Sequence, residues 1–516
     1  MATQHFPVDD LPGTHQTGGK KWLGVGLIVV GAIVLAAILL AVKWPFTKER
    51  VMRRLQEATA ATVKIGGFTP KYFPHPGGVA QQVTFQQKPG GQPLMTIRTL
   101  TIRGSFLGLL TRHVSIVRAE GTHIVLPAFS AGESLGGSNQ SGNVIERLVA
   151  DGTVLEVLPK NAHGHPTRFL LRQFQLHGLG GSRALSFQMV FENPEPPGEV
   201  TTSGSFGPWK KGSAASTLVS GHYAFSHADL SVFRGIRGIL SSDGTFRGTF
   251  RELQVQGATD TPDFEVARSG HKFHLSAQFR VLVDATSGDV TLQQAAALLG
   301  RTTIAAQGHI APLQKGQGKT ASLDFTAQDG RIEDLLFLFV KEPRSPLMGV
   351  TSFQGHVMLP PGQQPFIRRA KVEGEFGIGG ARFTSPTTEQ ALTDLSRRAL
   401  GEKDKVVQDP ERVLSNLRGN VALNDGVARF TNLSFDVPGA RAQMHGTYNL
   451  VNERINLHGL LRMDNSLANA TSGIKSFLLK ALGPFLKTNH RNEVLPVSIT
   501  GTYNHPSYHI SPQSKK

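Results

Sequence analysis

Residues 273–283 read Phe273-His274-Leu275-Ser276-Ala277-Gln278-Phe279-Arg280-Val281-Leu282-Val283. Apolar residues occupy every second position of this segment, and most of the residues between them are polar. Successive side chains of a β-strand point to opposite faces of its sheet. The spacing therefore predicts a strand with one apolar face and one polar face.

The same alternation recurs along the chain, and it predicts a mainly β protein. Segments 185–191, 323–327 and 455–463 each carry it. Glycine accounts for 57 of 516 residues without a collagen-like period, which is typical of turns between many short strands. Asn-Asp-Gly at 424–426 and Ser-Asp-Gly at 242–244 predict hairpin turns.

Helices are predicted in only a few places. Helical spacing of apolar residues favours segments 46–62, 292–299, 332–340, 389–400 and 474–486. The last of these is predicted to be an amphipathic helix whose apolar face carries Ile474, Phe477, Leu478, Leu482 and Phe485. Residues 130–142 are rich in glycine and serine, which predicts a flexible linker or loop.

Length and composition limit the class of protein. A chain of 516 residues suggests roughly three structural units. With 39% hydrophobic and 18% charged residues, it is neither a highly charged disordered protein nor a polytopic membrane protein. Because cysteine is absent, disulfide scaffolds, cysteine-ligated zinc and thiol catalysis are excluded.

One segment near the N-terminus predicts a membrane anchor. Residues 22–42 carry no charge, and Lys20, Lys21 and Lys43 bracket them. A helix of this length spans about 30 Å, the thickness of the hydrocarbon core of a bilayer. We predict an uncleaved signal anchor preceded by a disordered tail, residues 1–21.

Positive charge is concentrated just after this segment. The chain carries a net charge of +16, and residues 43–120 contain twelve basic and three acidic residues. The positive-inside rule alone would therefore leave the large domain in the cytoplasm. Within the helix predicted at 46–62, Lys48, Arg50, Arg53 and Arg54 are candidates for binding anionic head groups. The same helix could equally cap the first sheet, and the two roles are compatible.

The sequence contains no recognisable catalytic or cofactor motif. Gly318-Lys319-Thr320 resembles the end of a P-loop, but Leu313 stands where the first glycine of that motif belongs. Neither a Gly-x-Ser-x-Gly elbow nor a His-Glu-x-x-His motif is present. We therefore expect no enzyme activity, metal, cofactor or nucleic-acid partner. An enzyme acting on glycans is a lesser alternative.

Several short phrases resemble a known family. They are Lys43-Trp44-Pro45-Phe46-Thr47, Tyr72-Phe73-Pro74-His75-Pro76-Gly77, Leu417-Arg418-Gly419-Asn420-Val421-Ala422-Leu423-Asn424-Asp425-Gly426 and His445-Gly446-Thr447-Tyr448-Asn449-Leu450. In their order along the chain they resemble the AsmA-like family of bacterial envelope proteins, in the form of a short single-pass member. This family is related to bridge-like lipid-transfer proteins and has no catalytic motif to transfer to this chain.

The resemblance implies a fold, a location and a function. It implies an inner-membrane anchor and a periplasmic, long, twisted, largely antiparallel sheet curved into an apolar groove, with a few capping amphipathic helices. The modules would be a basic AsmA-like module at 43–129, a central β-rich region at 143–375 and a C-terminal AsmA-like module at 376–516. The implied partners are phospholipid, the inner membrane and other envelope proteins, in lipid transport or outer-membrane biogenesis.

Groove-lining candidates follow from the alternating strands: Phe273, Leu275, Phe279, Val281, Leu323, Phe325, Ile455, Leu457, Leu461 and Met463. The same alternation would also build a closed sandwich, in which each of these residues is ordinary core. The alternative function is that of an assembly factor for outer-membrane proteins, which holds client strands by strand addition.

Overall fold

A computed structural model of the chain describes sixteen segments between residues 46 and 510. They are 46–59, 61–86, 92–111, 113–126, 144–158, 166–179, 183–208, 216–285, 287–313, 318–341, 343–345, 347–383, 415–437, 440–463, 494–502 and 505–510. The predicted tail, the anchor at 22–42, the linker at 130–142 and the predicted helices at 389–400 and 474–486 lie outside these segments. Ile474, Phe477, Leu478, Leu482 and Phe485 therefore lie outside them as well.

The described residues form a mainly β protein. The first strands are β1 Thr62–Lys71, β2 Gly77–Gln86, β3 Pro93–Arg103, β4 His113–Leu126, β5 Val144–Val149, β6 Thr153–Val157, β7 Thr167–Leu179, β8 Leu185–Pro194 and β9 Pro197–Phe206. The next are β10 Leu218–Asp229, β11 Ile236–Arg237, β12 Ile239–Thr249, β13 Glu252–Val266, β14 Lys272–Asp284, β15 Asp289–Leu299, β16 Thr302–Pro312 and β17 Lys319–Arg331. The last are β18 Leu347–Leu359, β19 Lys371–Phe383, β20 Ser415–Asn424, β21 Val427–Val437, β22 Ala440–Asn449, β23 Arg454–Met463, β24 Val494–Thr502 and β25 His505–Ile510.

The helices of the described segments are few and short. They are α1 Lys48–Thr59, α2 Phe106–Thr111, α3 Ile332–Phe337, α4 Phe366–Arg369 and a 3-10 turn, Leu230–Val232. Within this part of the chain, no helix combines the length and the hydropathy that crossing a bilayer requires.

All these strands belong to one large mixed sheet. Neighbours along the chain pair antiparallel in a nearly uninterrupted meander. The interruption lies after β4, which pairs in parallel with both β5 and β6. These two short strands share one position, because both also pair with β7. The short β11 pairs with β13, whereas β10 continues the meander by pairing with β12.

The strand predictions agree with the structure, and two local predictions were wrong. Segment 292–299 is not a helix but part of β15. Its alanines favour helices, yet Ala297 pairs with Ala277 on one side and with Ile304 on the other. Ladder pairing on both sides thus overrides the helix propensity of the segment.

Ser-Asp-Gly at 242–244 is not a hairpin turn, because it lies inside β12. There Gly244 pairs with Tyr223 and with Gly257. The hairpin at 424–426 is confirmed, since Asp425 and Gly426 adopt φ angles of 47° and 73° between β20 and β21. Two positive φ angles are what a two-residue type I′ turn requires.

The helix predicted at 332–340 is confirmed in shorter form as α3, and the helix predicted at 46–62 as α1. The apolar side of α1 packs on the first strands through Val51, Met52 and Leu55. Residues of β1 to β4, among them Val63, Val83 and Leu100, complete this buried core. The helix therefore caps the N-terminal end of the sheet, one of the two roles that the sequence left open.

We expect Val83→Ala to lower the free energy of unfolding by about 2–3 kcal/mol, because the side chain is fully buried and its loss leaves a cavity. Val79→Ala on the same strand is the matched control. Val79 is only half-buried, so its replacement should cost less than about 1 kcal/mol. Urea-induced unfolding of the purified chain measures both effects. Equal destabilisation by the two variants would contradict the proposed core.

Candidate functional site

Strand register joins apolar residues, five glycines and Thr202 into one continuous row across the sheet. One row pairs, strand by strand from β7 to β25, Phe174, Met189, Thr202, Tyr223, Gly244, Gly257, Phe279, Ala295, Ala306, Phe325, Gly355, Gly374, Val421, Phe430, Gly446, Leu457, Ile499 and Tyr508. At about 4.8 Å per strand the row extends about 80 Å along the sheet. We call the face of the sheet on which these row positions lie the apolar face.

The ten groove candidates occupy this one face. Phe279, Phe325 and Leu457 belong to the row itself. The others lie on β14, β17 and β23 at even spacing from these three: Phe273, Leu275, Val281, Leu323, Ile455, Leu461 and Met463. The side chains of Leu461 and Met463 lie outside the description. The remaining eight are half-buried. Their side chains therefore contact neighbouring side chains but keep part of their surface exposed.

Aromatic rings on this face lie over glycines of neighbouring strands. A Cβ atom added to Gly221 would stand 2.7 Å from Cζ of Phe246, and one on Gly355 would stand 3.0 Å from Cζ of Phe325. Phe187 and Phe246 stack with ring centroids 6.5 Å apart. Between them, on β9 and β10, lie Gly204 and Gly221. The glycines therefore let large rings lie low over the neighbouring strands.

Two tyrosines of the apolar face, Tyr223 and Tyr448, are half-buried. Burial raises the pKa of the Tyr223 phenol above its usual value, although a hydrogen bond between its hydroxyl and Ser242, 3.1 Å long, opposes the shift. Burial likewise raises the pKa of Tyr448. Desolvation disfavours the charged phenolate in both cases. The surroundings of these side chains are therefore of low polarity.

The opposite face of the sheet is polar and exposed. A shallow depression of about 920 Å³ crosses it from β15 to β21. Its carboxylates pair with neighbours on adjacent strands. Asp324 lies 2.8 Å from Nδ1 of His356, and Glu375 accepts a hydrogen bond from Gln354. Among the described residues, no group of histidine and acidic side chains is arranged to hold a metal ion.

The strand ends form two rims. We call the rim where β10, β13, β15 and β17 end the first rim, and the rim where β12, β14, β16, β18 and β22 end the second rim. Helix α3 lies on the first rim and reaches over the apolar face. The ring of Phe337 is 6.3 Å from that of Phe273, and Ile332 packs against Ile378.

Two carboxylates hold α3 on the rim. Asp334 accepts hydrogen bonds from the backbone N–H of Arg301 and from the hydroxyl of Thr302, at 2.8 and 2.9 Å. Glu333 is buried and accepts from the backbone N–H of Gly349 at 3.2 Å. The helix is therefore anchored to the ends of β16 and β18, on either side of β17, while its apolar side chains turn inward.

The basic candidates lie together on α1, away from the packed side of the helix. Arg53 and Arg54 are exposed, and Lys48 and Arg50 are half-buried. Lys48 donates a long hydrogen bond of 3.5 Å to the backbone oxygen of Gly66, and Arg53 lies 4.0 Å from Glu57. Contacts as long as these contribute little energy, so Lys48 and Arg53 can also interact with an anionic surface.

Sequence reasoning missed the glycine-supported rings and the contacts between the rims. The only signal for these rings in the sequence was the high glycine content, which is also typical of turns. The contacts between the rims join Arg234 to Gln363 and Arg268 to Glu453. They had no local signal, because the two residues of each contact are 129 and 185 positions apart in the sequence. Comparison with family models, curated proteins and solved structures finds no match to this chain.

Proposed function

We propose that the protein binds or conducts phospholipid acyl chains along its apolar face. The observation that supports this most is the continuous row from β7 to β25, whose described residues, apart from the buried Thr202, are half-buried on a face that no second sheet closes among the described residues. Exposing a 16-carbon chain to water costs about 0.8 kcal/mol per methylene, or about 12 kcal/mol in all. A continuous apolar surface removes most of that cost, whatever the head group.

The resemblance to AsmA-like proteins supplies the rest of the proposal. The sheet would curve into a groove, the segment at 22–42 would anchor it in the bacterial inner membrane, and the sheet would lie in the periplasm. The task would be intermembrane lipid transport or outer-membrane biogenesis. Neither a nucleotide nor a catalytic centre is needed for the binding step.

Lipid analysis of the gently purified chain tests the proposal. Native mass spectrometry and solvent extraction should find phospholipid bound to the protein, with little preference for the head group. A chain that carries no phospholipid, and takes none up from vesicles, would refute the proposal.

The alternative is an assembly factor that adds client strands to its sheet. The observation in its favour is that, within the described residues, β25 pairs only with β24, which leaves one edge of the ladder for another strand. An assembly factor of this kind should bind unfolded outer-membrane proteins and carry no phospholipid.

A further prediction concerns the binding of anionic vesicles by the basic residues of α1. Changing Arg50, Arg53 and Arg54 together to glutamate should weaken binding to anionic vesicles at least tenfold, since each basic residue near such a surface contributes about 1 kcal/mol. Vesicle co-sedimentation measures the effect.

The matched control changes Arg247, Arg280 and Arg429, which are exposed on the polar face, to glutamate. It alters the net charge equally but leaves α1 intact. Equal loss of binding in both triple variants would show that only overall charge matters and would contradict a role for α1.

A further inference from the structure

Two contacts join opposite rims of the sheet. In the first, Nη1 of Arg234 donates to the backbone oxygen of Gln363 at 3.1 Å, and the backbone N–H of Phe366 donates to the oxygen of Arg234 at 3.2 Å. A Cβ atom on Gly235 would lie 3.3 Å from Cβ of Phe366. Residues 230–235, after β10, thus touch the segment that carries α4, after β18.

The second contact depends on one arginine. Arg268, in the turn after β13, donates through Nη1 to the backbone oxygen of Val451 and through Nη2 to Oε1 of Glu453, both at 3.1 Å. The partner residues lie in the turn after β22. The two side chains are 24% and 33% exposed, so water reaches the pair.

These contacts join residues that the order of strands in the sheet would place far apart. Arg234 and Arg268 lie on the first rim, and their partners lie on the second rim. From β10 to β18 the ladder runs seven strand steps, which is about 34 Å on a flat sheet. Opposite rims can meet over such a span only if the sheet curls strongly. Helix α3, on the first rim, packs over the apolar face, which favours a curl toward that face.

We propose that these two contacts form a clasp that gates lipid access to the apolar face; this inference rests on the proposed function. A phospholipid that enters sideways must carry its head group through the mouth between the rims. With the clasp formed, the mouth is bridged at two places and bound lipid is retained. With it open, lipid exchanges freely with a membrane.

The strength of the clasp suits a reversible gate. Partly exposed ion pairs are weak and are screened by salt, whereas the ladder on either side is held by continuous backbone hydrogen bonds. The rims can therefore separate while the strands remain paired. Opening requires that both contacts break: the turn at Arg268 must leave the turn at Glu453, and residues 230–235 must leave the segment that carries α4.

The absence of cysteine allows a direct test on the full chain. In the variant Arg268→Cys with Glu453→Cys, a short bis-maleimide locks the second contact of the clasp, and in untreated protein this contact is broken. Transfer of fluorescent phospholipid from vesicles measures uptake, and transfer to empty vesicles measures release. The two single-cysteine variants, treated with the same reagent, are the controls.

Locking should slow uptake and release at least tenfold, and the untreated double variant should exchange faster than the parent chain. Equal exchange rates with the clasp locked and broken, in protein that still binds lipid, would overturn the gate and leave the proposed function standing. Failure of every form to bind lipid would overturn the proposed function and the gate with it. Failure of the two cysteines to cross-link would contradict the contact itself.

A charge exchange provides a second readout. Arg268→Glu alone should accelerate lipid exchange by repelling Glu453, and combining it with Glu453→Arg should restore the slow exchange of the parent chain. If the double exchange behaves like the single variant, the ion pair does not hold the clasp, and the gate is overturned in this form.

Discussion

Replacing Phe279 with glutamate should remove most of the phospholipid from the purified chain. Phe279 lies on the central row of the apolar face, where it pairs with Gly257 and Ala295. An ionised carboxylate at this point has no described cation beside it in the row and would face the acyl chain directly. Placing an unpaired charge in apolar surroundings costs several kcal/mol, so we expect at least a tenfold loss of bound lipid.

The neighbouring residue provides the control. Gln278 lies on the same strand, but its side chain is exposed on the polar face. Gln278→Glu introduces the same carboxylate one residue away and should leave lipid binding unchanged. Phospholipid is quantified after extraction, with circular dichroism to confirm that both variants retain their strands. Full lipid binding by folded Phe279→Glu would contradict the role of the apolar face.

Gly221→Ala should destabilise the sheet severely. The new Cβ atom would stand 2.4 Å from the backbone oxygen of Ser203 and 2.7 Å from the ring of Phe246. Both neighbours are constrained, since one belongs to the paired strand and the other stacks on Phe187. Overpacking of this kind costs about 3 kcal/mol, and the displaced ring would rise into the space above the face.

Gly379→Ala is the matched control, because the nearest atom to its new Cβ, the oxygen of Val350, is 3.9 Å away. Alanine is usually favoured over glycine inside a strand by about 0.5–1 kcal/mol, so this variant should be neutral or slightly more stable. Thermal unfolding of both variants gives the comparison. Similar melting temperatures would contradict the tight contact between the ring and the glycine.

Local patterns predicted the elements well where the alternation was strict. Residues 273–283 alternate without interruption, and β14 follows with every expected apolar residue on one face. The helix prediction for 292–299 was wrong because Ala295 to Ala297 have high helix propensity. Their backbone pairing with β14 and β16 is what makes the segment a strand. Ser-Asp-Gly at 242–244 failed similarly, because glycine is needed there for the close approach of Tyr223 rather than for a turn.

The candidate site divides in the same way. The alternation within each strand was enough to predict that its apolar residues share one face. The reason is that the direction of a side chain in a strand depends on its position along that strand. Whether those faces align depends on register between strands, which bulges such as the one between Arg280 and Val281 adjust. Contacts such as Arg268 with Glu453 depend on the summed twist and curl of many strands. Only the tertiary structure could place them, since no local interaction encodes the meeting of residues 185 positions apart.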